Sequence, residues 1–197
     1  MKDSKNGYIY YDYHSKTEKE EITETAWTSV FHWLYGIVGF LFILVFMFSL
    51  FFKVVEVSGE SMMPALNDED KIIVYIMNYT PQQGDIVVIS SEGYDETLIK
   101  RVIAKENQTV EVDYESGKVT VDGVVLDEHY ITEMSEPDNN EIEYPYTVPE
   151  NCVFVMGDNR NESKDSRSKL VKAIDECRIV GKAVMRVFPF SDTDIYD

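Results

Sequence analysis

The sequence predicts a mainly β protein: an antiparallel β domain preceded by one transmembrane α-helix. Three observations carry this. The stretch Val30 to Phe52 contains no Asp, Glu, Lys or Arg. From Val54 onward, short runs rich in Val and Ile alternate with Gly, Pro, Asn and Asp turns. Helical periodicity is nearly absent from that second part.

Residues 1–29 are polar, mixed in charge and rich in Tyr, Lys and Glu, and predict a short cytoplasmic tail with some helix near Glu18 to Thr25. Residues 30–52 form the membrane segment. At about 1.5 Å of rise per residue, it is long enough to cross a hydrocarbon core of about 30 Å. Being apolar on every face, it suits lipid better than one side of a protein core. Trp27, Trp33 and Tyr35 stand at its start, where amphipathic rings favour the interface, and Lys53 closes its far end. The run is too long and begins too late for a cleaved leader. Lys2, Lys5, Lys16 and Lys19 precede it, whereas Lys53 and Lys71 are the nearest lysines after it. That bias puts the tail inside and the domain, 53–197, on the outer face of the cytoplasmic membrane.

Nine strands are predicted there: Lys53–Val57, Lys71–Ile76, Asp85–Ser90, Thr97–Ala104, Thr109–Asp113, Lys118–Val121, Val124–Leu126, Val153–Met156 and Ile179–Phe188. Pro81 to Gly84, Ser116–Gly117 and the hairpin pair Asp122–Gly123 separate them. Ser168 to Glu176 suggests a short turn of helix, and the acidic, proline-containing stretch Glu133 to Asn151 a loop or excursion.

The formal net charge of −18 excludes nucleic acid as a partner, since phosphate binding needs clustered Lys and Arg. It also opposes adsorption to anionic lipid, and fits a well-solvated surface. The two cysteines, Cys152 and Cys177, lack metal-site spacing. They fit either one disulfide outside the cytosol or two small buried side chains.

Three segments could do chemistry. Gly59-Glu60-Ser61-Met62-Met63-Pro64 follows a strand. Gly59 permits a sharp bend and Pro64 fixes the chain beyond it, so Ser61 is presented on a turn. There its hydroxyl is accessible and its N–H can face a developing oxyanion. Equally, most turn serines only bond the backbone. A nucleophilic serine needs a base, but His14 is in the tail, His32 in the membrane segment and His129 in a polar context after Asp127-Glu128. Lys100 is the alternative. Strand alternation places it on one face with Leu98 and Val102, where desolvation would lower its pKa. A snorkelling lysine on an exposed strand gives the same pattern. The block Gly157 to Arg167 is dense in Asp158, Asn159, Arg160, Asp165 and Arg167. It reads as a hydrogen-bonded network supporting a site, or as a polar loop with incidental ion pairs.

In combination these segments resemble the bacterial type I signal peptidases. The shared order is a membrane helix, Gly-x-Ser-Met-x-Pro around Ser61, Gly84-Asp85-Ile86-Val87-Val88, Lys100-Arg101-Val102-Ile103, the Gly157 to Arg167 block and Ile179-Val180-Gly181-Lys182-Ala183. The short span between Lys100 and Cys152, and Gly59 in place of a hydroxyl residue, resemble the Gram-positive form. Ala65 and Ser168-Lys169-Leu170 depart from the family pattern.

The resemblance implies a serine endopeptidase acting on signal peptides of secreted preproteins, with no cofactor or metal. Ser61 would be the nucleophile and Lys100 the general base. Ser163 would hydrogen-bond and orient the lysine. Asp165 and Arg167 would pair in support, and Asp158 with Arg101. Val55, Val57, Met62, Leu66 and Ile99 would wall shallow substrate pockets, and the substrate would add as a strand beside Val54–Ser58 and Thr97–Ile99. The implied neighbours are the lipid bilayer and the secretion translocon. A rival within the fold is a non-catalytic relative assisting assembly of surface structures. A self-cleaving repressor shares the chemistry but needs a DNA-reading domain, where this chain has a membrane helix.

Overall fold

A computed structural model describes the main chain of residues 5–90, 97–131, 134, 141–190 and 193–195, with side chains from Trp27 onward. The chain divides into two units, Met1–Leu50 and Phe51–Asp197.

The first unit is helical. Helix α1 runs Lys5–Phe51, so the expected polar tail and the apolar segment share one helix. The polar part is rich in Lys and Glu, both good helix formers, which explains why the helix does not start at the apolar boundary. Its last 25 residues, Trp27–Phe51, extend about 37 Å at helical rise, long and apolar enough to cross a membrane. Their large side chains stand exposed around the helix, Phe42 at 71% and Val45 at 63%, as a lipid-facing surface requires.

The second unit is antiparallel β, as expected, and its described residues form two sheets. The strands of the larger are β1 (Phe52–Glu56), β2 (Lys71–Tyr75), β3 (Ile86–Ser90), β4 (Thr97–Ala104), β9 (Cys152–Met156), β10 (Ile174–Asp175) and β11 (Ile179–Phe188). They lie in the order β1-β2-β11-β3-β4-β9-β10. The smaller sheet is built from β5 (Thr109–Asp113), β6 (Lys118–Val121), β7 (Val124–Val125) and β8 (Tyr146–Thr147), in the order β7-β6-β5-β8. Asp122 and Gly123 take φ of 51° and 79°, the paired left-handed conformations of a tight hairpin turn, and so join β6 to β7.

Among the described residues, three apolar clusters hold the sheets. One gathers Val57, Met62, Leu66, Ile72, Val74, Ile86, Val88 and Ile99 beneath the turn that follows β1. A second packs the small sheet, through Val110, Val119 and Val121, against Ile103, Phe154 and Met156. The third holds Val87, Ile89, Val102, Val153, Val155 and Ile174.

Two local expectations fail. Ser168–Glu176 forms turns and the two-residue strand β10 rather than helix; Lys172, at φ 55°, breaks any helical run, and only Glu176–Arg178 makes a single 3-10 turn. Within Glu133–Asn151, of which residues 133 and 135–140 lie outside the described residues, Tyr146–Thr147 is a strand and not loop, since β5 offers it a partner edge.

Candidate active site

Ser61 is delivered by the chain leaving β1. Gly59 bends at φ 86°, its N–H donating to the Asp68 carboxylate at 2.7 Å. The turn then closes as Met63 N–H donates to the Glu60 carbonyl (3.1 Å) and Leu66 N–H to the Met62 carbonyl (2.9 Å). Met62, Ala65 and Leu66 are buried in the first apolar cluster and root the turn, while Ser61 at its start stays half-buried. Those closing bonds do not use the Ser61 N–H.

Lys100 comes from β4, opposite Val87 in the β3–β4 register. It is only 3% exposed, and its Nζ lies 2.6 Å from Ser61 Oγ. Burial lowers its pKa from 10.5 to about 8; the carboxylates of Asp165 and Asp158 pull it back up, and the Arg167 guanidinium pushes it down. A lysine near 8 is about one-tenth neutral at pH 7, against roughly one part in 2,500 for an ordinary lysine. When neutral, the amine can accept the serine proton across this same contact.

The block after β9 locks both segments. Arg101, beside Lys100, makes a buried two-pronged pair with Asp158, at 2.9 and 2.8 Å, and donates to the Gly84 carbonyl at 2.9 Å. Burial pushes the Asp158 carboxyl up from its ordinary value, and the two Arg101 bonds oppose that by favouring the charged form. Arg167 pairs with Asp165 at 2.9 and 3.0 Å and donates to the Arg160 carbonyl at 2.7 Å; Asp165 also accepts the Gly157 N–H at 3.0 Å. Asn159 reaches back to the Ser61 turn, its N–H donating to the Ser61 carbonyl (3.1 Å) and its amide to the Glu60 carbonyl (3.2 Å). Gly157 is required here because a Cβ would collide with the Ser61 carbonyl oxygen and with Ser163 Oγ.

A buried lysine of lowered pKa in contact with a turn serine is an arrangement capable of acyl transfer. Residues 30–188 match the family described as signal peptidase, peptidase S26. The chain belongs to that family.

A relative described as "Probable signal peptidase I-1", from Synechocystis, is 39% identical over 146 residues, covering 68% of this chain and 70% of its own. A signal peptidase I of Bacillus licheniformis is 30% identical over 182 residues, covering 88% of this chain and 96% of its own. A solved signal peptidase I from Enterococcus faecalis aligns with 54% of this chain and 98% of its own, at 28% identity and a TM-score of 0.44. The activity of this chain is that of a signal peptidase I, a serine endopeptidase, and the non-catalytic alternative is not favoured.

Of the residues singled out in the sequence, Ser61 and Lys100 meet, and the pairs Arg101–Asp158 and Asp165–Arg167 form. Ser163 does not bond Lys100: its hydroxyl is buried with no hydrogen-bond partner among the described residues, turned toward the space left by the missing side chain of Gly157. Val57, Met62, Leu66 and Ile99 all belong to the first cluster, with Val55 packed against it. Met62 at 1% and Leu66 at 0% are core and not open walls, because the turn needs them as its roots. Cys152 and Cys177 form no disulfide with each other.

Two site residues escape sequence reasoning. Glu128 makes a two-pronged ion pair with Arg160, whose side chain is fully buried. The Arg101 guanidinium lies 3.9 Å from the centre of the Tyr130 ring, a cation–π contact. Their only sequence signal is an acidic-aromatic stretch, Asp127-Glu128-His129-Tyr130, without periodicity.

The sheet also leaves two backbone edges near Ser61 and Lys100. β1 ends the larger sheet and pairs only with β2 among the described residues. β4 pairs with β3 from Thr97 on, but with β9 only from Arg101 on, so Thr97 to Lys100 have one side open among the described residues.

Proposed function

We propose that this chain removes signal peptides from secreted preproteins with Ser61 as nucleophile and Lys100 as general base. The observation that carries the proposal is the 2.6 Å contact between Ser61 Oγ and the buried Lys100 Nζ. The neutral amine takes the hydroxyl proton as Oγ attacks the scissile carbonyl, giving a tetrahedral oxyanion toward which the Ser61 N–H can donate. Collapse breaks the C–N bond, and the lysine returns its proton to the leaving amine. Water, deprotonated by the same lysine, then attacks the acyl ester, and Ser61 recovers its proton as the signal peptide leaves as a carboxylate.

The substrate adds as a strand to the open edges of β1 and Thr97–Lys100, which suits the extended backbone such a cut needs. Val55 and Ile99 form its shallow walls, backed by the core residues Val57, Met62 and Leu66. Asp165–Arg167 and Asp158–Arg101 hold the frame, and Ser163 steadies the lysine once substrate turns its hydroxyl. The helix anchors the domain on the outer face of the cytoplasmic membrane, beside the secretion translocon; degradation of the domain by protease added to intact spheroplasts tests that orientation. The test of the activity is cleavage of a preprotein by the purified protein and its absence with Ser61→Ala.

A further inference from the structure

We infer that Glu128 is a positioning residue for the nucleophile, acting through Arg160 and the turn Gly157–Asn159. The inference rests on the role of Ser61 proposed above. Glu128 belongs to none of the segments that carry the family resemblance. It is brought to the site by the chain that leaves the small sheet after Leu126, whose N–H donates to the Val119 carbonyl at 2.9 Å.

The chain of contacts is continuous. Both Glu128 oxygens accept from the Arg160 guanidinium, with side chains 5% and 0% exposed. The Arg160 Nε donates to the Gly157 carbonyl at 3.1 Å, closing the turn on itself. That turn carries Asn159, whose N–H and amide hold the carbonyls of Ser61 and Glu60. Tyr130 O–H donates to Glu128 at 3.2 Å while its ring lies against Arg101, so the same short segment also touches the residue next to Lys100. A fully buried guanidinium needs a matching carboxylate to keep its orientation. Without Glu128, Arg160 must turn toward water and release the Gly157 carbonyl, and Asn159 then no longer fixes the height of Ser61 above Lys100.

The test measures kcat, KM and melting temperature for wild type, Glu128→Gln, Asn159→Ala and the double variant on a preprotein, with Ser61→Ala as the blank. Each single change should lower kcat by on the order of tenfold with KM within about twofold, because a misplaced nucleophile loses rate and not substrate binding. The double variant should be no slower than the slower single, since both act on one chain of contacts. If Glu128→Gln does not fold, Glu128→Asp, which keeps the charge but shortens its reach, should show the same loss of kcat. Full kcat in a folded Glu128 variant, or losses that multiply in the double, overturns the inference. A wild type that cleaves nothing overturns the proposed function instead.

Discussion

Replacing Lys100 by Met should make the protein more stable while abolishing its activity. Burial moves the Lys100 amine from 10.5 to about 8. At about 1.4 kcal/mol per tenfold, the folded state disfavours the ammonium by about 3 kcal/mol. Below pH 8 the amine is charged in both states, and the folded state bears the whole cost. Between 8 and 10.5 the unfolded chain binds more protons than the folded one, so wild-type stability rises with pH relative to the variant. Lys100→Met should therefore gain about 3 kcal/mol at pH 7, about 1 kcal/mol at pH 10 and almost nothing above about pH 11. For a domain of this size the gain at pH 7 corresponds to about 6–12 °C in melting temperature. Thermal unfolding of detergent-solubilised wild type and variant at pH 7 and pH 10 measures it. A variant no more stable at pH 7, or a gain that does not shrink at pH 10, would refute the reasoning that desolvation is what neutralises this lysine.

Three further outcomes are expected. In wild type, kcat/KM should fall as pH drops, along a single ionisation near pH 8, the value to which burial brings Lys100; a midpoint near about 6.5 would point to a histidine instead. Gly157→Ala should reduce cleavage by on the order of a hundredfold, because the new Cβ must displace Ser61 or Ser163; near-full turnover of the folded variant would contradict the packing described. A preprotein with Phe in place of Ala just before the cut should not be processed, since the walls proposed at Val55 and Ile99 are backed by filled core; equal rates for both substrates would contradict a shallow pocket there.

Strands such as Thr97–Ala104 and Ile179–Phe188 were legible in the sequence because they are long, Val- and Ile-rich and bounded by turn residues, so their limits stand in the chain itself. Tyr146–Thr147 and Ile174–Asp175 are two-residue strands, fixed by a partner edge and carrying no pattern of their own. Ser61, Lys100 and the Asp158 and Asp165 pairs stand in recognisable local motifs. Glu128 and Tyr130 do not: their part in the site depends on which arginines the fold buries beside them. The direction of the Ser163 hydroxyl likewise depends on the bare backbone of Gly157, which no spacing rule reveals.

The most direct test of the central claim is the turnover of Lys100→Arg on a preprotein, with folding checked by circular dichroism. Guanidinium keeps the positive charge but stays protonated in proteins, so it cannot take the serine proton. The expected result is a folded protein with essentially no cleavage, like Ser61→Ala. A folded Lys100→Arg enzyme with near-wild-type turnover would contradict the Ser61–Lys100 mechanism and send the search for the base to another residue, His129 first.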